Sequence, residues 1–207
     1  GEIAAASNAL PAGQRLAHLI VSHYTDAFDA DVQGDDAPPA PWRDWLLARH
    51  APPTLDGGQV HAWKDALAWD GPLADSTVGP RDLSVLPYTS GTTGLPKGCM
   101  HTHASVMHNA VASGLWVNGS ADMVGLLVVP MFHVTGMVAV MHASVYGGAT
   151  MVLMPRWDRE LAGRLISRWK VTHWTNIPTM IIDLLGSPNF ASFDLSNLSY
   201  LGGGGAA

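Results

Sequence analysis

The chain has 207 residues, 47% hydrophobic and 14% charged, with 22 glycines and 14 prolines; that is enough apolar material for one sizeable core and excludes a disordered chain as the overall state. Eleven Lys and Arg stand against seventeen Asp and Glu, a formal charge of −6, and without any run of basic residues no binding along a nucleic-acid backbone is expected. The single cysteine, Cys99, excludes an internal disulfide, nothing marks an oxidising compartment, and the cytoplasm is the expected location.

Gly1 to Leu10 lacks a positive start followed by an apolar run, so it does not read as a signal peptide. Leu16 to Val21 reads as a short strand. Acids at Asp26, Asp29, Asp31, Asp35 and Asp36, and prolines at Pro38, Pro39, Pro41, Pro52 and Pro53, mark an irregular surface excursion. Within it Trp42, Trp45, Leu46 and Leu47 have helical spacing, and Trp63, Ala66 and Leu67 repeat it; these tryptophans are expected to pack in a core or lid.

From Asp82 onward strand and helix alternate. Leu83 to Tyr88 is a strand, Thr102 to Gly114 a helix, Val124 to Val129 a strand, and Gly136 to Tyr146 a helix packed on both sides. Ala149 to Met154 is a buried strand, Arg159 to Lys170 a helix, and Val171 to Thr175 a strand. Pro178 opens a helix that stops near Gly186, and Leu198 to Leu201 is the last strand, running into Gly202, Gly203, Gly204 and Gly205. Near-continuous Val, Ile and Leu strands between helices predict an α/β fold with a mostly parallel sheet flanked by helices. Met123 to Pro155 contains no Asp, Glu, Lys or Arg; Pro130, His133, Gly136, His142, Gly147 and Gly148 interrupt it short of the roughly 18 to 20 apolar residues of a spanning helix, so a buried core is expected there and no transmembrane segment.

The segment Tyr88-Thr89-Ser90-Gly91-Thr92-Thr93-Gly94-Leu95-Pro96-Lys97-Gly98 concentrates chemistry in a loop read as connecting a strand to a helix. Glycines permit close backbone approach, hydroxyls donate to phosphate oxygens, and Lys97 adds a mobile charge. A helix start just beyond would add its dipole. The spacing is not that of a Walker loop, since Gly91 and Gly94 enclose too few residues and Gly98 follows Lys97.

Tyr88 to Gly98 resembles the phosphate-binding signature of the adenylate-forming superfamily of acyl- and aryl-CoA ligases, luciferases and peptide-synthetase adenylation domains. Pro130-Met131-Phe132-His133-Val134-Thr135-Gly136-Met137 resembles its Pro-x-Phe-His segment, and Thr175-Asn176-Ile177-Pro178-Thr179 its entry to the acyl pocket. Asp194 to Leu198, leading to Gly202 through Ala207, resembles its approach to the nucleotide-contacting glycines. The resemblance covers Asp82 to Ala207 well and the first eighty residues loosely. It implies an incomplete portion of the family's large N-terminal domain: residues 1–80 as an irregular segment with short helices and an edge strand, and 81–207 as the AMP-binding core, truncated at its C-terminus.

The resemblance further implies ATP, Mg and coenzyme A as cofactors and a small-molecule carboxylate as substrate, first adenylated and then transferred to coenzyme A as a thioester. Thr89, Ser90, Gly91, Thr92, Thr93, Gly94 and Lys97 would hold the β- and γ-phosphates. His133 and Thr135 would border the acyl pocket, His133 as a gating residue, and Gly202, Gly203, Gly204 and Gly205 would line the floor where acyl chain and adenylate meet. The variant residues resemble acyl-CoA ligases for medium or long aliphatic acids more than peptide-synthetase domains. The family's aromatic-Gly-x-Thr-Glu magnesium segment, its ribose-binding aspartate and its lysine-bearing C-terminal domain are not among these residues. The chain alone is therefore expected to be inactive, with the remainder of both domains as its partners and a homo-oligomer open.

Other readings stand beside this one. The loop would also suit a binding module that holds a nucleotide or anion without turnover, or an adenylation domain for an amino or aryl acid. Gly202 to Ala207 also fits a dinucleotide fingerprint, but without the acid expected about twenty residues later. His101, His103 and His108 have no accompanying thiolate or carboxylate, so no metal is expected there. Cys99 reads as a packing residue.

Overall fold

The computed structural model describes residues 1–26, 34, 37, 39–89 and 94–204. They fall into two compact units, Gly1–Asp75 and Ser76–Ala207. Asp29, Asp31, Asp35, Asp36 and Pro38 lie outside the described residues.

The first unit contains α1 (Glu2–Asn8), β1 (His18–Val21), α2 (Ala40–Leu47), β2 (Gln59–Ala62) and α3 (Trp63–Leu67). β1 and β2 pair in parallel, His18 opposite Gln59 and Val21 opposite Ala62. In α2 the spacing buries Trp42 and Leu46 one turn apart, and Trp45 meets Tyr24 edge-on at 5.2 Å. Trp63 departs from the packing expectation. It is 38% exposed and Leu67 is 66% exposed, because α3 is too short to present an apolar stripe over successive turns.

The second unit runs through β3 (Leu83–Val85), β4 (Tyr88–Thr89), β5 (Lys97–Gly98), β6 (His101–Thr102), α4 (His103–Trp116) and β7 (Val124–Leu127). A π-helical segment (Thr135–His142), α5 (Ala143–Gly147), β8 (Thr150–Leu153), α6 (Arg159–Trp169), β9 (His173–Asn176), α7 (Pro178–Leu185) and β10 (Tyr200–Gly203) follow. Its main sheet is four-stranded and wholly parallel, in the order β10-β9-β7-β8.

Both faces of that sheet are covered. On one, Leu127 and Val129 pack with Val140, Met141 and Met151 under the π-helical segment, and Val106 and Ala110 of α4 close on Val138. On the other, Trp174 stacks on Trp157 at 5.6 Å, and Trp157 Nε1 donates to Asp183 Oδ2 of α7 at 2.8 Å. Helix starts are fixed by side chains: Thr102 Oγ1 accepts from Ser105 N and Asp158 Oδ1 from Leu161 N, each satisfying an otherwise orphaned donor.

Four expectations change. The strand Leu83 to Tyr88 breaks at Leu86 and Pro87 into two short antiparallel ladders, β3 with β6 and β4 with β5. Pro87 has no N–H to give a ladder, and its carbonyl accepts from Cys99 N at 2.8 Å. The helix from Gly136 begins as the π-helical turn, and Val145 and Tyr146 are exposed rather than packed. β8 is an edge strand with Leu153 exposed. Lastly, β10 continues past Leu201 to Gly203, pairing Gly202 with Thr175 and Gly203 with Asn176. No described helix is long and apolar enough to cross a membrane.

Candidate functional site

β7 is followed by the π-helical segment on one face of the sheet and β9 by α7 on the other, so the connections leave these adjacent strands in opposite directions. Such a divergence opens a crevice beyond the carboxyl ends of parallel strands. A cavity of about 810 Å3 lies there. His133 and Thr135 contribute from the β7 connection, Asn176 and Ile177 from the end of β9, and Gly202, Gly203 and Gly204 from β10. The pocket residues read from sequence are thus brought together, except Gly205, which lies outside the described residues.

Local chemistry explains the shape of this wall. Gly136, in the first turn of the π-helical segment, lies hard against the Pro130 carbonyl, where a Cβ would collide with backbone. His133 N donates to Pro130 O at 3.0 Å, and His133 Nδ1 accepts from Thr135 N at 3.2 Å. A ring nitrogen that accepts cannot carry the proton of the neutral ring, so the proton sits on Nε2, which is left as a donor. Asn176 is buried, and its Nδ2 donates to Trp174 O at 3.1 Å.

None of the cavity's described wall residues is Asp, Glu, Lys or Arg. Two carboxyls are held below their ordinary range elsewhere. Glu160 is lowered chiefly by hydrogen bonds from Ser187 and Asn189, and Asp194 by Lys170 and then Ser196; neither lines the cavity. The arrangement suits binding of an apolar group that ends in hydrogen-bonding atoms, with His133 and Tyr200 as the described wall's titratable side chains.

The hydroxyl-rich loop sits differently from its expectation. Thr89 pairs with Lys97 across the β4–β5 ladder, with Thr89 Oγ1 3.5 Å from Lys97 O, so the residues that flank the loop pair as antiparallel strands rather than leading directly into a helix. β5 and β6 then intervene before α4 begins at His103, and its first turn is capped by Thr102. Ser90, Gly91, Thr92 and Thr93 lie outside the described residues. Thr89, Gly94 and Lys97 are exposed and are not among the described walls of the large cavity. Cys99 is exposed as well, which corrects its reading as a packing residue. The described residues contain no group of three or more His, Cys, Asp or Glu able to hold a metal ion.

Several wall residues escaped the sequence reading. Asn109, Ala112, Ser113 and Trp116 line the cavity from α4 at i, i+3, i+4 and i+7, a signal that was present in the spacing. Ending the helix at Gly114 hid Trp116. Ala139 also lines the cavity, along with two neighbours of about 90 Å3 and 310 Å3, and nothing in the sequence distinguishes this alanine.

Comparison with known proteins fits this geometry. The chain is 38% identical over 130 residues to a long-chain-fatty-acid–CoA ligase of Bacillus subtilis, covering 61% of this chain and 23% of that protein. It is 34% identical over 138 residues to 4-coumarate–CoA ligase 4 of Arabidopsis thaliana, covering 65% and 24%. Among solved structures it resembles the inhibitor-bound N-terminal domain of FACL13 from Mycobacterium tuberculosis, with 30% identity and a TM-score of 0.64 over 81% of this chain and 42% of that one. ATP-bound MatB from Rhodopseudomonas palustris matches at 25% identity and a TM-score of 0.63, over 72% and 31%. The chain therefore spans about a quarter of the length of these curated relatives. With the profile of the AMP-binding enzyme family matching residues 3–207, nearly the whole sequence, the chain belongs to that family.

Proposed function

We propose that this chain is part of an ATP-dependent acyl-CoA ligase that activates a medium- or long-chain fatty acid. The observation that carries this reading is the uncharged cavity of about 810 Å3 at the carboxyl ends of β7, β9 and β10. In the reaction a carboxylate oxygen of the acid attacks the α-phosphorus of ATP and pyrophosphate leaves. The thiol sulfur of coenzyme A then attacks the acyl carbon, AMP leaves, and the thiol proton is released.

The roles divide by chemistry. Thr89, Ser90, Gly91, Thr92, Thr93, Gly94 and Lys97 hold the β- and γ-phosphates and stabilise charge on the departing pyrophosphate. His133 and Thr135 border the acyl chain, and Gly202, Gly203, Gly204 and Gly205 admit it beside the adenylate because they carry no side chain. Mg would accompany the triphosphate and supply charge neutralisation there; the loop and the cavity walls offer hydroxyls, amides and a lysine rather than carboxylates, so they fit phosphate and acyl groups and not the ion itself. A cytoplasmic location is part of this reading.

A second reading, an aryl acid such as a hydroxycinnamate, is supported by the 4-coumarate–CoA ligases, whose identity to this chain is comparable. We also hold that these residues alone do not adenylate, since they span about a quarter of the relatives' length. The test has two parts. Acid-dependent exchange of labelled pyrophosphate into ATP is measured with the 207-residue chain, and only background is expected; turnover overturns the inactivity. Binding of dodecanoate and 4-coumarate is compared by calorimetry, with dodecanoate expected to bind more tightly. The reverse order favours the aryl reading, and binding of ATP with neither acid favours an anion-binding module.

A further inference from the structure

The smaller cavity, of about 90 Å3, lies between α4, α5 and the sheet. It shares Val117, Ala139, Thr175 and Tyr200 with the large cavity, so the two adjoin across a common wall. Apolar groups such as Val111, Met123 and Leu126 make up much of the rest.

Ser144 stands apart from the wall's other polar residues, Ser120, Tyr146, His173, Thr175 and Tyr200. It lines this cavity, is 0% exposed, and its Oγ has no hydrogen-bond partner. A serine inside a helix commonly turns its hydroxyl back to a carbonyl four residues earlier. Here α5 continues directly from the π-helical segment, and Ser144 makes no such bond. His173, also in this wall, is committed at both ring nitrogens, to Thr172 Oγ1 at 2.8 Å and to Val117 O at 2.9 Å. A single water would need two to four polar partners to be held well, and among the described side chains of this wall only Ser144 Oγ is buried without a partner.

A buried hydroxyl left unpaired is costly, and supplying its missing partner recovers that cost. Such a group, set in an apolar chamber beside a binding cavity, selects for a ligand that carries a hydrogen-bonding atom to it. We propose that the small cavity receives the distal end of the acid, and that Ser144 hydrogen-bonds a hydroxyl or carbonyl carried there, so that oxygenated acids are preferred over plain ones. This inference rests on the large cavity being the acid site.

The test is calorimetric binding to the 207-residue chain of straight-chain acids of increasing length, each with and without a terminal hydroxyl. At one length the hydroxy acid is expected to bind about fivefold more tightly than its parent, the effect of one neutral hydrogen bond. Ser144→Ala should bring that ratio to about one while leaving the plain acid within about twofold, since only the hydrogen-bonding partner is removed. Thermal unfolding of the variant reports that it is folded, and the comparison of acids on the unaltered chain stands without it. Equal affinities at every length overturn the inference while leaving the acid-site reading intact. A preference that survives in Ser144→Ala overturns it too. Failure of every acid to bind overturns both.

Discussion

Gly203 stands opposite Asn176 in the parallel pairing of β10 with β9, so close that a Cβ on Gly203 would lie 2.6 Å from Asn176 O and 2.8 Å from Asn176 Oδ1. The glycine is required by the neighbouring strand as much as by the cavity it lines. Gly203→Ala is expected to destabilise the fold by about 1 to 3 kcal/mol, the range for overpacking against groups that cannot retreat. Gly204, with nothing within 4 Å of a built Cβ, is the control, and Gly204→Ala should stay within about 0.5 kcal/mol. Denaturant midpoints compare the two; equal losses would mean that the contact with Asn176 is not what restricts position 203.

This pair also indicates what a linear reading reaches. The strands and helices from Val124 to Leu185 were legible because their apolar runs and punctuation by Pro178 and Gly148 are local signals. The gathering of His133, Thr135 and the glycines was legible only as separate motifs, since the distance between them is set by strand order. Three features were harder to read. An i+5 helical turn at Thr135–His142 has the same apolar texture as an ordinary helix. Pro87 marks a break, but the apolar residues Leu83, Val85, Leu86 and Tyr88 around it read as one continuous strand. Ala139 and Ser144 matter through the space around them, which composition does not encode.

Helix α4 carries one wall of the site, and its start depends on Thr102, whose Oγ1 accepts from Ser105 N at 3.2 Å while Ser105 Oγ donates to Thr102 O at 3.0 Å. Thr102→Ala should cost about 1 kcal/mol, the usual loss for an N-cap. Thr102→Asp should recover most of it, because a carboxylate caps equally well and favours the positive end of the helix dipole. Urea midpoints decide this; equal losses in both variants would show that the methyl group of Thr102, rather than the cap, holds the helix start.

Asp194 accepts from Lys170 Nζ at 2.6 Å and from Ser196 Oγ at 2.6 Å, and Lys170 first, then Ser196, holds its carboxyl well below the usual carboxylate range. A carboxyl depressed in the folded state adds stability above its unfolded pKa, near 4, and loses it as pH falls toward the folded value. The stability gap between the wild type and Asp194→Asn should therefore be full at neutral pH and shrink below about pH 4. Being exposed, the pair is screened, so the gap should also narrow in salt. Thermal unfolding across this pH range is the measurement, and a gap that stays constant into strong acid would show that the interaction is not ionic.

Ala139 lines the three cavities of about 810, 310 and 90 Å3 alike. Its methyl group leaves space at their common wall, and a longer side chain would occupy it. Because that space is open rather than packed, Ala139→Leu should change stability by less than about 1 kcal/mol, unlike an insertion into a filled core. Ligand size should decide the rest. Short acids that end within the large cavity should bind as before, whereas a long-chain acid should lose about tenfold in affinity, roughly 1.4 kcal/mol, as its distal carbons are displaced. Calorimetric titration of the variant with acids of increasing length would show a break in affinity at the length that reaches position 139. A uniform loss across all lengths would place the leucine in contact with the carboxyl end instead, and no loss at any length would show that acids bind without approaching this wall.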